Sequence, residues 1–167
     1  MLPTLVLVLG TLVLRGAGAL GIQSLATWRD AARWALSLML LFTASAHFAP
    51  MVRPDIVAMV PPSLPDPELL VTITGVLEIA AAAGIQLPAT RRIAGLCLIV
   101  LLVLLFPANV SAAARHVPLG GRPATPLALR LPMQVLFIAV AWWTSGSRRA
   151  GAGRMGASAA KRGDPRE

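Results

Sequence analysis

Five runs of roughly twenty apolar residues, each long enough to cross a bilayer as a helix, leave this chain few ways to fold in water. Four cover residues 31–49, 68–87, 92–114 and 127–145. A fifth, at 2–22, is interrupted by Arg15 and crowded at its end by Gly16, Gly18 and Gly21. Hydrophobic residues make up 56% of the chain and charged residues 13%, about half the charged share usual in a soluble domain. A chain of 167 residues cannot hide that much apolar surface in its own core. The expectation is an all-α integral membrane protein, a four-helix transmembrane bundle with an extra N-terminal transmembrane helix. Residues 1–30 supply that helix and a connector, 31–145 the bundle, and 146–167 a disordered basic cytoplasmic tail.

The first run has a second reading. Ala17-Gly18-Ala19 resembles a cleavage site, which would make the segment a secretory signal. Yet no basic residue precedes the apolar run and Arg15 follows it, the reverse of such a signal. A retained helix fits better.

The net charge of +8 is concentrated outside the apolar runs, with six of the 15 basic residues between Arg148 and Arg166. Basic residues gather on the cytoplasmic side of membrane proteins. With the N-terminus outside and the C-terminus in the cytoplasm, eleven basic residues lie inside and four, Arg53, Arg115, Arg122 and Arg130, outside. Trp28, Trp34, Trp142 and Trp143 then lie at the inner interface, a depth that suits indole rings. The chain has no Tyr and little aromatic–basic interleaving, so base stacking has no footing and nucleic acid is excluded as a partner. The lipid bilayer is the first partner. Richness in Ala, Arg and Pro fits a GC-rich bacterial genome, and hence a plasma membrane. The single cysteine, Cys97, lies in an apolar run and is expected to be a small buried hydrophobe.

The connections differ. Gly84 and Pro88 are expected to close one helix, and Thr90 to cap the next. The outer loop, residues 50–67, holds six prolines. Within it Asp55 is expected to cap a short helix, Ile56 to Val60, that Pro61 stops.

Polar side chains inside a span are costly and generally face the bundle interior. Five stand out: His47, Glu78, Asn109, Arg130 and Gln134. Four different spans contribute them, all in the outer half, with Glu78 roughly 15 Å deep at about 1.5 Å per residue. Arg130 is the expected partner of Glu78, and Thr74 a further hydrogen-bonding group. Gly75 and Ala82 share a face with Glu78 and let a neighbouring helix approach. Two readings stay open. One is an outward polar pocket with Glu78 as a proton or cation site; the other is a hydrogen-bond network that fixes helix packing. Pro107 should kink its span and free the carbonyl of Val103, with Asn109 supporting the distortion. Arg115, His116 and Arg122 are expected to be solvated.

No catalytic, cofactor or metal motif accompanies these residues. A haem held by two histidines needs a second one in a facing span. No Cys, His or acidic cluster has metal-ligand spacing, and neither a phosphate-binding glycine loop nor a nucleophile triad is present.

The order of short motifs is more specific. Ala46-His47-Phe48, Met59-Val60-Pro61-Pro62, Gly75-Val76-Leu77-Glu78, Arg91-Arg92, Phe106-Pro107-Ala108-Asn109 and Arg130-Leu131-Pro132 with Gln134 together resemble the DoxX-like membrane proteins, across roughly residues 31–145. The resemblance implies a compact four-helix membrane bundle. The family takes its name from a subunit of an archaeal quinol-oxidising respiratory system, and a distant animal relative resembles a receptor-assembly chaperone. It thus implies a non-catalytic accessory subunit or assembly factor, with a quinone-linked redox complex, another membrane protein or a second copy of the chain as partner. Quinone is the only cofactor it brings in. A small proton-coupled transporter, or a membrane enzyme acting on a lipid or quinone with Glu78 as acid or base, are the alternatives.

Overall fold

A computed structural model describes residues 2–123 and 125–146. The expected basic tail therefore lies, from residue 147 on, outside the described residues. The rest is helical, with no strands among the described residues: α1 Leu2–Ala19, α2 Trp28–Phe48, α3 Arg53–Met59, α4 Pro67–Gly84, α5 Arg91–Ala114 and α6 Leu127–Ser145. Of these, α1, α4, α5 and α6 are each long and apolar enough to cross a membrane. α2 passes the same test only together with α3, from which it is bent by 94°. Arg33 and His47, with Ser37, Thr43 and Ser45 between them, lower its hydropathy.

α2 is the hub. It packs against α1, α4 and α6, while α5 closes the ring between α4 and α6. The core is built from Leu36, Met39 and Leu40 of α2, Ala81 and Ala82 of α4, Ile85 just beyond it, and Leu98 and Leu102 of α5, with Ala141 of α6 and Leu7 of α1. On α4, Val71, Gly75, Glu78 and Ala82 are buried at alternating spacings of four and three. That spacing lays one stripe along the helix. The opposite face is equally apolar but exposed, at Leu69, Ile73, Val76 and Leu77. α5 likewise exposes Ile93, Leu96, Val100, Val103 and Leu104. A helix apolar on all sides belongs in a larger core or in lipid. Cys97 lies on this outward surface, so the expectation that it would be buried is corrected: the apolar run continues around the whole helix.

Small residues set the closest approaches. A Cβ on Gly75 would stand 2.8 Å from His47 Cβ and 2.9 Å from Phe48, so α4 rides directly on the end of α2. At the opposite end of the bundle, a Cβ on Gly95 would lie 2.2 Å from Ser145 Cβ.

The two ends have different chemistry. One end gathers most of the prolines, α3 and the loop before α6. The other gathers the four tryptophans, all exposed, and Arg15, Arg29, Arg33, Arg91 and Arg92. There Thr27 caps α2 by accepting from the Asp30 N–H at 3.2 Å, and Arg33 pairs with Asp30 at 2.7 Å. Arg29 donates to the Gly146 carbonyl, tying α2 to the end of α6.

Two local expectations change. The short helix begins at Arg53, with Pro54 in its first turn, where a missing N–H costs nothing. Asp55 does not cap it; its carboxylate accepts from the Gly120 N–H at 2.8 Å. Thr90 makes no side-chain cap to α5. Its hydroxyl donates back to the Gly84 carbonyl at 2.8 Å, closing α4 instead.

Candidate functional site

The five singled-out residues form two separate groups. In the first, α2 brings Thr43 and His47 to one face, one turn apart, opposite Glu78 of α4. His47 and Glu78 are 8% and 6% exposed, so both polar groups depend on protein partners. The His47 Nδ1 lies 2.8 Å from the Val71 carbonyl. A carbonyl only accepts, so Nδ1 carries the proton, and Thr74 Oγ1 stands 3.2 Å from the same nitrogen. The other ring nitrogen, Nε2, faces Glu78 Oε1 at 3.8 Å. The second carboxylate oxygen, Oε2, lies 2.6 Å from Thr43 Oγ1.

Thr43 gives the cluster its logic. Its Oγ1 is also 3.0 Å from the Leu40 carbonyl, and a hydroxyl has one proton to donate. Both contacts are satisfied together only when Glu78 carries a proton on Oε2 and donates it to Thr43, which then donates to Leu40. With an ionised carboxylate, Thr43 must choose between the two acceptors. Sequence reasoning named Thr74 but missed Thr43, although its position four residues before His47 put it on the same helix face.

The α2–α4 seam continues toward the tryptophan end. Ser37 donates to the Ala82 carbonyl at 2.8 Å, and the Gln86 amide donates to Ser37 Oγ at 2.7 Å and the Arg33 carbonyl at 3.2 Å. The close approach expected at Gly75 and Ala82 is made here, by α2.

The second group joins α5 to α6. The Arg130 guanidinium donates to Asn109 Oδ1 at 2.9 Å and to the Thr125 carbonyl at 2.9 Å. The expected Glu78–Arg130 pair is therefore corrected. α4 neighbours α2 and α5, whereas α6 neighbours α5 and α2, so α4 and α6 face each other across the diagonal of the ring. One turn along α6, the Gln134 amide donates to the Leu102 carbonyl. That oxygen lies one residue before the Val103 carbonyl, which Pro107 deprives of its helical donor. Asn109 serves Arg130, so the support near the proline comes from Gln134. Arg115, expected in solvent, is exposed but donates to the Met59 and Val60 carbonyls at 3.0 and 3.1 Å, fastening the end of α3 to α5. No cluster of three His, Cys, Asp or Glu that could hold a metal occurs among the described residues.

Residues 36–145 match a family described as a domain of unknown function (DUF8561). The chain belongs to this family. The DUF8561 segment begins inside α2 and ends with α6, so it contains both polar groups and the four-helix ring except the start of α2, while α1 precedes it. No curated protein and no solved structure matches the chain.

Proposed function

We propose that this DUF8561 protein is a multi-pass protein of a bacterial plasma membrane, with its N-terminus outside and its C-terminus in the cytoplasm. It serves there as a non-catalytic accessory subunit or assembly factor. Membrane residence is supported by apolar helix faces that remain exposed on α4 and α5. Sidedness is supported by the arginines and tryptophans gathered at one end. The prolines, with Glu78 on their side of mid-bundle, then lie toward the outside.

The single observation that carries the accessory reading is how the polar side chains are used. Thr43, His47 and Glu78 tie α2 to α4, and Asn109, Arg130 and Gln134 tie α5 to α6. Each is engaged in joining helices. The exposed face of α5 offers a surface for another membrane protein. The resemblance to DoxX-like proteins points to a subunit of a quinone-linked redox complex as that partner.

Purification from native membranes in mild detergent, with mass spectrometry of what co-purifies, tests this. A stoichiometric membrane oxidoreductase or other membrane-protein partner is the expected result. A homo-oligomer carrying only quinone or another small molecule would overturn it. A proton-coupled carrier is the second reading, favoured by Thr43 standing within reach of both Glu78 and Leu40. That reading requires Glu78→Gln to abolish proton uptake in vesicles while the fold survives.

A further inference from the structure

α1, α2 and α6 enclose an apolar groove of about 200 Å3, walled by Val8, Leu12, Ala32, Leu136, Val140 and Trp143. Following each helix one turn toward the tryptophan end leads to the same place. Arg15 stands three residues beyond Leu12 on α1, Arg29 three before Ala32 on the antiparallel α2, and Gly146 three beyond Trp143 after α6. Arg29 reaches across to the Gly146 carbonyl, and the Arg15 guanidinium lies over the Trp28 ring at 5.7 Å. Two cations thus stand one turn beyond a groove whose lining, apart from Thr11, is apolar. The Nε of each is buried without a hydrogen-bond partner among the described residues. A guanidinium left with an unused donor at the end of an oily slot suits a phosphate carrying an acyl chain.

We propose that this groove holds one acyl chain of an anionic phospholipid, whose phosphate is received by Arg15 and Arg29. The assignment rests on the membrane reading above. It goes beyond that reading by naming a ligand class and a site whose two arginines, on α1 and the start of α2, precede the DUF8561 segment.

Carbonate extraction of cell membranes tests residence separately: release of the chain into the soluble fraction would overturn the membrane reading itself. For the site, the full chain in neutral detergent is melted with phosphatidylglycerol, with phosphatidylcholine of the same acyl chains, or with inorganic phosphate. Phosphatidylglycerol should raise the melting temperature more than phosphatidylcholine, and phosphate alone should have no effect. Arg15→Gln and Arg29→Gln should each weaken phosphatidylglycerol binding roughly fivefold, and Arg15→Lys should keep most of it. Equal stabilisation by the two lipids, or a preference that survives both Gln substitutions, would overturn the proposal. Stabilisation by phosphate alone would do so too, because the site would then hold a free anion. Should Arg29→Gln fail to fold for want of its Gly146 contact, Arg15→Gln decides alone, since Arg15 contacts only the Trp28 ring in the interactions described.

Discussion

Between α2 and α4, Gly75 brings the helices so close that His47 and Glu78 are buried against each other, with Thr43 beside them. Between α5 and α6, the ties at the proline-rich end are long, partly buried side chains, Arg130 to Asn109 and Gln134 to Leu102. The contrast follows from what each seam must satisfy. The first holds an ionisable pair and buries both members. The second passes a proline that leaves α5 short of a backbone donor, and a flexible amide can serve the carbonyl beside that gap. Close packing fixes the first seam, and reach fixes the second.

The largest effect should come from pushing the close seam apart. Gly75→Val places a side chain where His47 and Phe48 already stand and should cost about 3 kcal/mol, the upper end for overpacking, read as a lower melting temperature in detergent. A variant that melts like the parent would show that α2 and α4 slide freely and would remove the distinction between the seams. Next comes Glu78→Ala, which strips Thr43 of its partner and opens a cavity beside His47, and should cost about 2 kcal/mol. Glu78→Gln keeps a donor for Thr43 in its amide N–H and should cost under about 1 kcal/mol in the same melt. At the second seam, Arg130→Ala should cost about 1 kcal/mol, because its guanidinium is partly exposed and screened. Equal losses for Glu78→Ala and Arg130→Ala in a paired denaturation series would show that burial does not separate the seams. The smallest effect is expected for Gln134→Leu, about 0.6 kcal/mol, the typical worth of one hydrogen bond between membrane helices.

Run length made the helices legible. The apolar segments at 92–114 and 127–145 correspond to α5 and α6 within a residue at each end. That at 68–87 overshoots α4 by three residues, because Gly84 ends the helix before the apolar composition changes. Depth along each span was legible too, since it needs only counting. The partners were not, because they depend on which helices stand side by side. Glu78 and Arg130 lie in the same half of the bundle but on diagonal helices. Asp55 and Gly120 are 65 residues apart and meet only because α3 folds back over α5. Thr43 is the instructive omission: its spacing from His47 was visible, but a threonine in an apolar run attracts no notice until a carboxylate is found opposite it.

The single proton of the Thr43 hydroxyl makes the α2 backbone a reporter for the neighbouring helix. Ionising Glu78 draws that proton away from the Leu40 carbonyl, and restoring the acid returns it. The C=O stretch of Leu40, isotopically labelled, would then rise when the carboxylate charges and fall when it is neutralised. An infrared band on one helix would record the state of a side chain on the next.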